Sequence, residues 1–129
     1  MADSSDLSFV ESEGLLHEEA RRAVGYDDFG DPAYLEGMRV VSQAYDREAR
    51  FSPNGRLGAR QGLLTTLEER LRANRLLREN PAVLENRIER PLVICGLVRT
   101  GSTALHYLLG QDPELQCLQY WLAGNPHGA

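Results

Sequence analysis

Apolar residues in the first ninety positions recur mainly at helical spacing. From Ser12 to about Val24, Leu15, Leu16, Glu19, Ala20 and Ala23 fall on one stripe of a short helix. Gly25 sits just beyond it as a C-terminal stop. "YDDFGDP" reads as a loop, and Asp31-Pro32 opens a second helix with a capping residue and a first-position proline. That helix covers about 32–49 and sets Leu35, Met38, Val41 and Tyr45 near one face. "SPNG" at 52–55 is a turn signal. A longer helix then runs from about Arg56 to Glu79, with Leu57, Leu64, Leu67, Leu71 and Leu77 on its buried side. Arg70, Arg72, Arg75 and Arg78 read as a solvated face, because Glu68, Glu69 and Glu79 are interspersed. Pro81 ends this helix, and "AVLENRIER" offers one more turn before Pro91.

The pattern changes at residue 91. "PLVIC" is a short run rich in β-branched residues, bounded by charge and glycine, and it predicts a strand buried on both faces. After "GLVRTG", Ala104, Leu105, Leu108 and Leu109 return to helical spacing until "QDP" at 111–113. The fold class expected is therefore α/β: a P-loop, NTPase-like parallel sheet with an N-terminal helical region, truncated after its first strand–loop–helix unit. Only "LQCLQY" offers a second, weak strand, so exposed sheet edges are expected to favour self-association.

Composition narrows the chemistry. The 129 residues suit one domain, and the net charge of −5 argues against a nucleic-acid binder. All 14 basic residues are arginine, so no lysine is available to any phosphate site. Cys95 and Cys117 make neither a metal-ligand spacing nor a disulfide framework, and Cys95 reads as a buried free thiol. No metal site is expected. The N-terminus lacks a signal-peptide pattern and no apolar run spans a membrane, so a soluble, cytoplasmic protein is expected.

"CGLVRTGSTAL" at 95–105 carries the chemistry. Gly96 and Gly101 have the spacing of G-x-x-x-x-G-K-[ST], and Thr103 is in place, but Ser102 occupies the lysine position. Glycines let consecutive N–H groups converge on an anion, and the helix start adds unpaired N–H groups and a positive dipole end. Ser102 and Thr103 add hydroxyls, and Arg99 is the only cation within the loop.

At these residues "PLVICGLVRTGSTALHYLLGQDPEL" resembles the 5′-phosphosulfate-binding segment of the sulfotransferase family. "GYDDFGDPAYLEGMRVV" and "LEERLRANRLLRENPAVLENRIERPLVI" are similar to the N-terminal helical region of its bacterial branch. The resemblance implies 3′-phosphoadenylyl sulfate (PAPS) as sulfuryl donor and an unidentified small-molecule hydroxyl or amine as acceptor. It maps the cation beside the leaving phosphate onto Arg99, as the catalytic residue. It maps the 5′-phosphate cradle onto Thr100, Gly101, Ser102 and Thr103, with Gly96 opening the loop. Val98 stands where proline is usual, Leu122 follows "YW" where glutamate is common, and "NPHGA" only loosely matches the continuation. The 3′-phosphate site and most acceptor contacts of that family lie beyond residue 129.

The division expected is a disordered N-terminus at 1–11, a helical region at 12–90, and the start of a P-loop sulfotransferase domain, incomplete, at 91–129. His17 reads as solvated, His106 as a packing residue, and His127 as non-catalytic. Two other readings stay open at this level: a non-catalytic remnant or interaction fragment of the same ancestry, and a P-loop kinase or NTPase. The second lacks the lysine.

Overall fold

The computed structural model describes residues 8–97 and 99–119. Four α-helices follow one another: α1 (Glu13–Val24), α2 (Tyr34–Arg47), α3 (Pro53–Glu79) and α4 (Ser102–Leu109), with a 3-10 turn at Pro81–Glu85. The chain divides into two compact units, Met1–Asn80 and Pro81–Ala129.

In the first unit α1 lies against α3. Leu16 and Ala20, one turn apart on α1, are fully buried, as are Leu67 and Leu71 on α3 to within 2%. Paired i, i+4 ridges of this kind interdigitate, and the small Ala20 permits close approach. Met38 from α2 and Phe29 from the α1–α2 loop complete the core. Burying each such side chain contributes roughly 1.5–3 kcal/mol. Arg60 on α3 reaches Glu19 on α1 at 2.6 Å, and Arg39 on α2 reaches Glu13 at 3.2 Å.

Local signals explain the helix ends. Gly25 takes the left-handed conformation, φ 67°, and its N–H returns to the Arg21 carbonyl, as its position predicts. The second helix begins two residues later than expected, because Asp31 spends its carboxylate on the Ala33 N–H in a turn ahead of the helix. "SPNG" is a helix start instead of a separate turn. Ser52 Oγ accepts the Gly55 N–H at 3.1 Å and Pro53 takes the first position. Within the stretch expected to be frayed, residues 9–11 lie in a turn that runs on to Ser12, with Phe9 buried. Asp46 accepts the N–H groups of Phe9 and Val10, and the Arg56 guanidinium lies 4.5 Å from the Phe9 ring centre.

Three side-chain expectations change. His17 is buried, not solvated: α1 turns it inward against Phe29 and Tyr34. Its Nδ1 donates to the Glu13 carbonyl, and its Nε2 is hydrogen-bonded with the Tyr34 hydroxyl at 2.9 Å. Leu15, Val41 and Leu57, expected on buried stripes, are exposed. The arginine face of α3 divides by function. Arg72 and Arg75 pair with glutamates on their own helix, as a solvated face should.

Arg70, Asn74 and Arg78 instead share one side of α3 and clamp the 28–31 loop. Arg70 donates to the carbonyls of Phe29 and Asp31, Asn74 donates to Phe29, and Arg78 pairs with Asp28. The Asp28 carboxyl is held below its ordinary value of 3.8, first by the Gly30 N–H and then by Arg78. A depressed carboxylate stabilises the fold above its unfolded value, and that contribution disappears as pH falls through the folded value. Asp28→Asn should therefore melt below wild type at neutral pH. The gap should close as pH falls under 3.8, in thermal melts followed by circular dichroism.

The α/β expectation is overturned. Among the described residues there is no strand, and "PLVIC" is irregular backbone with Leu92 and Val93 largely exposed. A β-branched run becomes a strand only when neighbours accept and donate its ladder hydrogen bonds. The described residues of "LQCLQY" supply no such neighbour. Cys95, expected buried inside that strand, is consequently exposed, and both cysteines are free. The sheet edges expected to draw copies together are likewise absent among the described residues. Val98, the "YW" pair with Leu122, "NPHGA" and His127 lie outside the described residues.

Candidate functional site

In the second unit, the described residues 96, 97 and 99–101 precede α4, which begins at Ser102. Two features close this segment. Thr100 Oγ1 donates to the Leu97 carbonyl at 2.6 Å, and a Cβ on Gly96 would stand only 3.1 Å from that oxygen. Glycine at 96 thus lets the loop fold over Thr100. Gly101 then adopts φ 89° as the residue preceding α4, a conformation glycine enters without steric cost.

Arg99 also takes a left-handed φ, 69°, one of two non-glycine residues described with a positive value. Such a conformation costs an L residue about 1–2 kcal/mol. A turn under that strain, at the one loop residue with a cation, is where function is most economically sought.

The start of α4 is open. Gly101 has no side chain to cap the helix, and the first backbone bond into it is Leu105 N–H to the Gly101 carbonyl, at 3.0 Å. The N–H groups of Ser102, Thr103 and Ala104 therefore face outward with the positive end of the helix dipole. Ser102 and Thr103 are exposed, and so is Arg99, which forms no ion pair with any described residue. The arrangement offers a cation, several outward N–H groups and two hydroxyls within five consecutive residues. It suits an oxyanion with several acceptor atoms.

One assignment is refined by the geometry. The Thr100 hydroxyl already serves the loop's own Leu97 carbonyl, so Thr100 has its N–H, not its hydroxyl proton, left to offer. The bond to Leu97 was not legible in the sequence. The spacing of Gly96 to Thr100 brings two groups together that have no motif linking them. His106 is half-buried, and its carbonyl accepts from Gly110 and lies 3.9 Å from the Cys117 sulfur. No cluster of metal-ligating side chains occurs among the described residues, and no described helix is long and apolar enough to cross a membrane.

No family model matches the chain, and no curated protein matches it. Two solved structures do. The sulfotransferase STF1 of Mycobacterium tuberculosis H37Rv is 39% identical, with a TM-score of 0.83 over 93% of this chain and 33% of its own. The sulfotransferase STF9 of Mycobacterium avium is 26% identical, with a TM-score of 0.82 over 98% of this chain and 31% of its own. The chain spans about a third of the length of each. The resemblance read in the sequence is thus matched in three dimensions: along nearly all of its length, this chain is similar to part of two mycobacterial sulfotransferases.

Proposed function

We propose that residues 96–103 form the 5′-phosphosulfate cradle of a PAPS-dependent sulfotransferase, which passes a sulfuryl group to a hydroxyl or amine acceptor. The observation that carries this reading is the uncapped start of α4, entered through left-handed Arg99 and Gly101, in a chain 39% identical to a sulfotransferase. The donor would supply the reacting sulfuryl group. This chain's residues would bind and orient its phosphate. Ser102 and Thr103 would donate N–H and hydroxyl protons to the 5′-phosphate, and Thr100 and Gly101 their N–H groups. Arg99 would stand against the oxygen on which charge grows as the sulfuryl group departs. A fixed cation and preset N–H groups act most strongly on charge that develops only in the transition state.

Guanidinium suits the role, being permanently charged and forked toward phosphate. The two free thiols fit a reducing, cytoplasmic setting. A kinase or NTPase reading is disfavoured by the absence of lysine from the whole chain. The test is nucleotide choice by thermal shift at matched concentrations. 3′,5′-Adenosine bisphosphate should raise the melting temperature more than Mg-ATP does. A clear preference for Mg-ATP would overturn the PAPS assignment.

A further inference from the structure

The first unit contains an open groove of about 650 Å³ between α2 and α3, lined wholly by residues of that unit. Met38, Leu63 and Leu67 form its apolar floor, and Tyr34 and Tyr45 line it from two points on α2. Its volume falls within the roughly 300–1,000 Å³ typical of small-molecule sites.

Glycine holds it open. Gly37 on α2 and Gly58 and Gly62 on α3 all line the groove. A Cβ at any of the three would meet nothing within 4 Å, and none has a positive φ. Neither strain nor close helix contact calls for glycine there, yet each destabilises its helix relative to alanine. What the three supply is space.

The lining also carries charge. Arg70 lines the same groove, its guanidinium 4.2 Å from the Tyr34 ring centre. Nε and Nη2 donate to the Phe29 and Asp31 carbonyls, which fixes the side chain in place. Nη1 has no partner among the described residues, and no described carboxylate pairs with Arg70. A fixed, uncompensated cation beside an apolar trough complements a long apolar body with an anionic end. We infer that the α2–α3 groove binds a single-chain anionic amphiphile of the fatty-carboxylate class, its chain over Met38 and Leu67 and its head at Arg70. The inference does not rest on the reading of the 96–103 loop.

Dodecanoate titrated into the whole chain, followed by methyl NMR, is the test. The Met38, Leu63 and Leu67 methyl signals should shift and saturate, with dodecanol binding at least about tenfold more weakly for want of the charged contact. Gly62→Leu should fill the groove and abolish the shifts without lowering the melting temperature, and Gly58→Leu is the second variant should the first not fold. Absent shifts, equal affinity for dodecanol, or undiminished binding in a folded variant would overturn the proposal. So would a dimer that buries these methyls and is dissolved by Gly62→Leu, since the groove would then seat a second copy. If neither variant folds, the dodecanoate–dodecanol comparison on the unaltered chain decides.

Discussion

Gly30→Ala should lower the melting temperature of the first unit by about 8–32 °C, from a destabilisation of about 2–4 kcal/mol. Two costs combine. Gly30 sits at φ 72°, where an L residue pays about 1–2 kcal/mol. A Cβ there would also lie 2.5 Å from Asn74 Oδ1. Asn74 cannot swing aside freely, because its Nδ2 donates to the Phe29 carbonyl at 3.1 Å and to the Arg70 carbonyl at 2.9 Å. Losing either bond forfeits roughly 0.5–1.5 kcal/mol. Gly25→Ala is the control: φ is 67°, but a Cβ meets nothing within 4 Å, so only the conformational cost applies. Equal melting temperatures for the two variants would show that the clamp of the 28–31 loop by α3 does not matter.

The second large effect concerns Arg99. Arg99→Gly should weaken 3′,5′-adenosine bisphosphate binding by about 10- to 100-fold, the equivalent of one charge-assisted contact of roughly 1.5–3 kcal/mol. Glycine enters the left-handed region freely, so the variant should melt no lower than wild type. This separates charge from loop geometry. Arg99→Lys should recover part of the affinity, since it keeps the charge and loses the fork. Isothermal calorimetry at low and moderate salt would read all three proteins. Unchanged affinity in Arg99→Gly would remove Arg99 from the site.

How much of this was legible in the sequence depended on how local each cause is. Gly25 ended α1 where its position predicts, because a left-handed cap needs only the preceding turn. The loop and the helix after it were read from residues 96–109 alone, since glycine spacing and helix start lie within a few residues of one another. "PLVIC" failed as a strand for the opposite reason: its β pattern states a preference that only neighbouring strands can satisfy. The clamp on the 28–31 loop was invisible for similar cause. Arg70, Asn74 and Arg78 act on partners some 39 to 50 residues away, and their spacing alone fits a solvated face equally well. His17 was misread because the rotation of α1 depends on α3 and Phe29, not on α1's own stripe.

If residues 96–103 cradle the phosphosulfate end of PAPS as proposed, their backbone amides must respond to its nucleotide. Backbone amide NMR of the chain during titration with 3′,5′-adenosine bisphosphate tests this most directly. Saturable shifts should concentrate at Gly96 and at Arg99, Thr100, Gly101, Ser102 and Thr103, with the α1–α3 amides unmoved. A saturable response elsewhere that leaves the amides of 99–103 in place, or no response at millimolar ligand, would contradict it.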